Sequence, residues 1–459
     1  MEKILLYKKA LLPGGWHENV MVKIHPSGTI TAVTLDAEIN ESKFSPDILL
    51  PGMANVHSHC HQRGIAGLSE SYGAGSNNFW KWREIMYHFS AKLEPTDMYA
   101  IAQYVYIEML KMGYTSVAEF QYLHNDLRGT AYPVASEMSL AIITAAEKAG
   151  ISCTILPAMY KYSNFGSQPA TNNQARFLTS TDQYLEICSQ LQTRAESSEL
   201  LEFGVAAHSL RAIDHNSMTE VLNGIGQFNL PIHMHVAEQK REVDDCLAWS
   251  GKRPVEWLTA NFDISKNWCL IHATHLNMEE VRVLAKKQVV VGLCPTTEAN
   301  LGDGLFNAIS YLQNNGIFGI GSDSNITINP FDELRLLEYG QRLKFESRNI
   351  LAKDKKKSTG RQLYENAAFG GSRALGRKCG KIDVGFKADL VSIDSSHPDI
   401  SSREGDTILD TLIFSSNTSV IKDVFVNGVH LIKNGLHDSQ IQVAENYRKT
   451  LKKISASLP

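Results

Sequence analysis

From about Leu49 onward, short apolar runs alternate with longer segments whose apolar positions recur at helical spacing. The runs are Ile48 to Val56, Thr115 to Phe120, Ile151 to Leu156, Phe203 to Ala207, Pro231 to Val236, Trp268 to His272, Val289 to Leu293 and Ile317 to Gly321. Helical spacing marks Met98 to Met112, Ser136 to Ala149 and Glu279 to Lys287 between them, the last two closing on Gly or basic residues as helix ends do. Eight such alternations predict an α/β fold built on a parallel (β/α)8 barrel. A doubly wound open sheet is the alternative, because pattern alone does not reveal closure. No phosphate-loop or dinucleotide glycine fingerprint follows any run, which favours the barrel.

Both ends of the chain have a different texture. Val20 to Ile24 and Thr29 to Val33 flank Pro26-Ser27-Gly28, and beyond Arg377 short strands return around Asn427-Gly428 and Asn434-Gly435, dipeptides that favour tight hairpins. The expected organisation is a small β-sandwich domain made of residues 1–50 and 378–459, closed around a barrel of residues 51–377.

A chain of 459 residues is long enough for a large barrel plus a smaller domain. With 43% hydrophobic and 20% charged residues it reads as a globular enzyme and not as a disordered chain. A net charge of -4 gives no overall basic field, so neither nucleic acid nor a membrane is an expected partner. The apolar run near Met1 is too short for a signal peptide, and the expected location is cytoplasmic. Seven scattered cysteines without Cys-x-x-Cys pairing argue against disulfides and against a thiolate zinc site. The basic cluster Lys353 to Lys357 reads as a solvated loop.

The first run ends in His57-Ser58-His59. Successive strand side chains face opposite ways, so these two imidazoles aim at one point and could share a metal ion. A lone His-x-His is more often structural, so the pair needs partners. Barrel enzymes carry their chemistry at the C-terminal ends of strands, and the outliers fall there. The fifth run ends in His233-Met234-His235-Val236-Ala237-Glu238, the sixth in His272-Ala273-Thr274-His275, and the eighth in Gly321-Ser322-Asp323.

With these residues in place, the chain resembles the amidohydrolase superfamily over essentially its whole length, including the tail Gly380 to Leu390. Pro51 to Arg63, Gly75 to Tyr87, Glu119 to His124 and Ala207 to Ala212 are similar to the formimidoylglutamate deiminases of histidine breakdown within it. The resemblance implies one zinc per chain, held by His57, His59, His235 and Asp323. A bridging lysine or glutamate of two-metal relatives is absent, since the fourth run ends in Ala207-His208. His233 then reads as a core residue and His61 as a group behind the ligands.

The resemblance further implies hydrolysis of N-formimino-L-glutamate to N-formyl-L-glutamate and ammonia. A bound zinc lowers the pKa of water toward ~7. Asp323 would accept the proton, Glu238 would carry it to the leaving nitrogen, and His272 would polarise the group under attack. Arg83 and Arg211 would bind the two substrate carboxylates in bidentate fashion, with Gln62, Tyr122 and His208 as further contacts. A homodimer is expected. The rivals are an aminohydrolase of a cyclic base such as guanine or an adenosine derivative, and a silent scaffold on the same fold.

Overall fold

The structure is a computed structural model that describes residues 2–37, 40, 43–70, 79–226, 229–416 and 420–455. Its centre is a closed parallel barrel. The staves are Met53–Ser58, Tyr114–Gln121, Ser152–Met159, Val205–Ser209, Ile232–Val236, Trp268–His272, Val290–Leu293 and Ile317–Ile320. The eighth pairs with the first, and the second with the third, so the ring has no edge. A short strand, Leu201–Phe203, adds to the third stave just ahead of the fourth.

Helices between the staves form the outer layer, among them Pro95–Lys111, Glu137–Ala149 and Met278–Lys286. The last begins at Asn277, whose side chain accepts from the Glu280 N–H while Glu280 reaches back to the Asn277 N–H. This reciprocal cap explains why the helix starts there. Among the described residues no helix is long and apolar enough to cross a membrane.

A separate eight-stranded, largely antiparallel sheet draws strands from both ends of the chain. Its centre is Ser45–Pro51, which runs parallel to Lys3–Leu12 on one side and antiparallel to Leu390–Ile393 on the other. The hairpins at Asn427-Gly428 and Asn434-Gly435 form, with positive φ at all four residues as their turns require.

The run Ile48 to Val56, expected as one barrel strand, is divided. Gly52 N–H bonds the Asp389 carbonyl of the terminal sheet, whereas Met53 N–H bonds the Gly113 carbonyl beside the barrel. One apolar run therefore serves two sheets in succession. Within it, Ile48 and Leu50 pack into the large core while Leu49 joins a smaller one with Tyr7, Val22 and Phe425, as alternate strand residues must. Arg377 and Asp389 seal the junction as a buried ion pair, Nε to Oδ2 at 2.9 Å, and Asp389 also accepts the Asn427 N–H.

Candidate active site

The first and eighth staves are pinned together where the histidines emerge. Asn55 donates to Ser322 Oγ at 2.7 Å and accepts the Ser322 N–H at 3.1 Å, while Asn325 donates to Ser58 Oγ. Asp323 N–H bonds the His57 carbonyl, and His59 N–H bonds the Asp323 carbonyl. Gly321 permits this approach, because a Cβ there would lie 2.8 Å from both His57 N and His57 O.

Three imidazoles converge at this point. His59 Nδ1 lies 2.9 Å from the Phe120 carbonyl and His235 Nδ1 2.8 Å from the His208 carbonyl. A carbonyl only accepts, so each Nδ1 carries the proton and each Nε2 keeps a lone pair facing inward. His57 Nε2 is 3.0 Å from His235 Nε2 and 3.4 Å from Asp323 Oδ1, which is itself 3.5 Å from His59 Nε2. Burial, reinforced by the neighbouring imidazoles, holds His57 and His235 well below the ordinary imidazole range, and burial also lowers His59. His57 Nδ1 has no hydrogen-bond partner, and with the Nε2 atoms of three imidazoles and a carboxylate oxygen grouped this closely the donor set fits a zinc-type ion.

Beside this cluster stands an acid–base group. His272 Nε2 lies 3.8 Å from Glu238 Oε1 and 3.8 Å from Asp323 Oδ2. Burial opposes protonation of His272, but Glu238, Glu298 and Asp323 outweigh it and raise its pKa. Burial raises the Glu238 carboxyl against the pull of His272 and Arg211. Ala237, His272, Ala273 and Asp323 all adopt positive φ, so strained backbone gathers at the strand ends. Glu242, on helix Lys240–Ser250, accepts the N–H groups of Ala237 and Glu238.

The residues open onto a cavity with about 580 Å³ of space between atoms, part of it open to solvent. Its wall carries Gln62, Arg83, Tyr122, His208 and Arg211, and its floor His59, His235, Glu238, His272 and Asp323. Arg211 is buried, with its Nε lacking a hydrogen-bond partner and one terminal nitrogen 3.9 Å from Glu242 Oε2. Arg83 Nε donates to the Tyr87 hydroxyl, and Gln62 donates to Tyr122 Oη at 3.0 Å.

The expected metal, acid–base and substrate-contact residues line this cavity together, except His57, which is fully buried and meets it through His235. His233 shares the face of His235 but bonds the Ala374 carbonyl of helix Thr359–Leu375 instead of joining the cluster, and His61 contacts the Tyr122 hydroxyl at 3.1 Å. The segment 75–78 lies outside the described residues. Tyr160, Phe177 and Leu301 also line the cavity without having been singled out. Tyr160 directly follows the third stave, where barrel logic could have found it. Glu242 and Glu298 carry no such signal, because each sits inside a helix after its strand.

Residues 48–431 match the model of the amidohydrolase family. The chain is 43% identical over 444 residues to a formimidoylglutamate deiminase of Pseudomonas aeruginosa, covering 97% of this chain and 98% of that one. It is 24% identical to a 5-methylthioadenosine/S-adenosylhomocysteine deaminase of Thermodesulfovibrio yellowstonii, over 85% of this chain and 81% of the other. A crystal structure of an amidohydrolase from Brucella melitensis superposes with a TM-score of 0.94 at 42% identity, covering 98% of this chain and 99% of that one.

Proposed function

The chain belongs to the amidohydrolase family, and on that premise we propose that it hydrolyses N-formimino-L-glutamate to N-formyl-L-glutamate and ammonia. The observation that carries the reading is the pairing of two unlike ends in one cavity. The floor holds a neutral histidine cluster with carboxylates, and the wall holds two guanidinium groups, one of them buried with an unpartnered Nε. A substrate with an imino carbon at one end and two carboxylates at the other matches both. The high identity to a formimidoylglutamate deiminase supports the same assignment.

His57, His59, His235 and Asp323 would hold one zinc ion per chain. A divalent ion held there would lower the pKa of water toward ~7. Asp323 takes the proton released as water adds to the formimino carbon. His272 donates a hydrogen bond that stabilises the developing tetrahedral centre, and Glu238 delivers a proton to the departing nitrogen. One water is consumed, the C–N bond to the imino nitrogen breaks, and ammonia leaves. Arg83 and Arg211 bind the two carboxylates, with Gln62, Tyr122 and His208 closing the wall around them. The reading includes a homodimer, which sedimentation of the purified protein checks.

A flat neutral base gives no role to two guanidinium groups, and a silent scaffold gives none to a filled acid–base cluster. The test is ammonia release from formiminoglutamate, guanine and cytosine at equal concentration. Only the first is expected to react, and turnover of a cyclic base alone would overturn the assignment.

A further inference from the structure

His272 holds a backbone conformation that residues with a Cβ disfavour. Its φ is +65° and that of Ala273 is +47°, so two left-handed residues stand in succession without glycine. Backbone bonds from Ala273 N–H to the Val236 and Ile271 carbonyls hold this turn, and the ring it presents is met by a side chain of another element. Glu298, on helix Pro295–Leu301 after the seventh stave, is the side chain that reaches it. Its Oε1 lies 3.2 Å from His272 Nδ1 and accepts the Cys294 N–H at 2.9 Å. All three residues are buried.

Capping the helix would explain the bond to Cys294 and nothing more. A glutamine would cap as well, without adding a carboxylate to a buried region that already holds Glu238, Asp303 and Asp323. Like charges so close are unfavourable, so the carboxylate has a further use. The use visible in the geometry is the imidazole. A carboxylate accepts the Nδ1 proton through a charge-assisted bond, which fixes the ring, favours its protonated form and leaves an Nε2–H donor facing the reaction space.

We propose that Glu298 is a positioning residue: it orients the His272 ring so that Nε2 points between Glu238 Oε1 and Asp323 Oδ2, each 3.8 Å away. This rests on the proposed role of His272 in the deimination, and it extends that role to a residue outside the cavity wall.

The test uses the full-length, metal-loaded protein in native, Glu298→Ala and Glu298→Gln forms. On formiminoglutamate, Glu298→Ala is expected to lower kcat by about 10- to 100-fold, the usual effect of losing an orienting partner, with KM and metal content little changed. Glu298→Gln keeps an acceptor and the cap but loses the charge, and recovers only part of that loss. Equal kcat in the two variants, native or reduced, overturns the proposal. In ¹⁵N-histidine-labelled protein, assigned with a His272→Asn control, the His272 Nδ1–H resonance is expected downfield in the native form, shifted upfield in Glu298→Gln and lost to exchange in Glu298→Ala. A resonance at its native position in Glu298→Gln overturns the proposal even where Glu298→Ala does not fold. This signal is read without substrate, so a failure of the deiminase reading and a failure of the Glu298 assignment give different results.

Discussion

Asp323 divides its two oxygens between two tasks: Oδ1 lies 3.4 Å from His57 Nε2, and Oδ2 lies 3.8 Å from His272 Nε2. The same carboxylate therefore touches the histidine cluster and the acid–base group. Replacing it should disturb both, whereas replacing Glu238 should disturb one. Asp323→Asn is expected to lower kcat by ~10²- to 10⁴-fold and to reduce metal content, and Glu238→Gln to lower kcat over that range with metal content intact. Ammonia release measured alongside elemental analysis checks both halves. A Glu238→Gln enzyme with native turnover would remove Glu238 from the proton path.

Metal stoichiometry follows from the same cluster. The donor atoms of His57, His59 and His235 lie within 4.8 Å of one another, Asp323 Oδ1 is 3.4 Å from His57 and 3.5 Å from His59, and the fourth stave carries His208 and neither lysine nor glutamate. Elemental analysis should give one divalent ion per chain, and exhaustive chelation should abolish activity until zinc is returned. Two tightly held ions, or full turnover after chelation, would exclude this arrangement.

The substrate carboxylates can be assigned by deletion. Hydrogen bonds to charged groups contribute roughly 1.5 to 3 kcal/mol, so Arg211→Met and Arg83→Met should each reduce kcat/KM by at least about 10-fold. An analogue lacking one carboxylate should react slowly with the native enzyme and be nearly indifferent to loss of the arginine that served the missing group. If both variants keep native efficiency on formiminoglutamate, the dicarboxylate assignment fails.

Arg377 and Asp389 allow a test of stability that leaves the site untouched. Their Nε–Oδ2 contact of 2.9 Å is buried, and Arg377 also bonds Asn427 Oδ1 at 2.5 Å. Removing one member strands the other, so Arg377→Ala should cost about 3 to 5 kcal/mol in urea unfolding. The double variant Arg377→Met with Asp389→Leu should recover much of that loss. A native midpoint for Arg377→Ala would show that the pair contributes little.

Where the chemistry repeats a local pattern, the chain could be read directly. The alternation of His57 with His59, and of His233 with His235, is a strand property, and every barrel run overlaps an observed stave, Ile48 to Val56 from Met53 onward and Phe203 to Ala207 from Val205 onward. The division of Ile48 to Val56 at Gly52 escapes such reading, since both halves are equally apolar and only their hydrogen-bond partners, Asp389 and Gly113, differ. Glu298 escapes for a related reason. It meets His272 across 26 residues of sequence and sits where helix starts ordinarily carry acids.

The two neighbours of the strand Ser45–Pro51 also set a schedule for synthesis. One neighbour, Lys3–Leu12, leaves the ribosome before it, but the other, Leu390–Ile393, follows about 340 residues later. At roughly 5 to 20 residues per second that interval lasts on the order of 20 to 70 s. Throughout it, the strand that leads into His57 has one unpaired edge, while the barrel it anchors is already being made. The nascent chain must therefore hold an exposed β edge until its last domain segment arrives, and chaperone capture during that wait would fall on the segment that feeds the metal ligands.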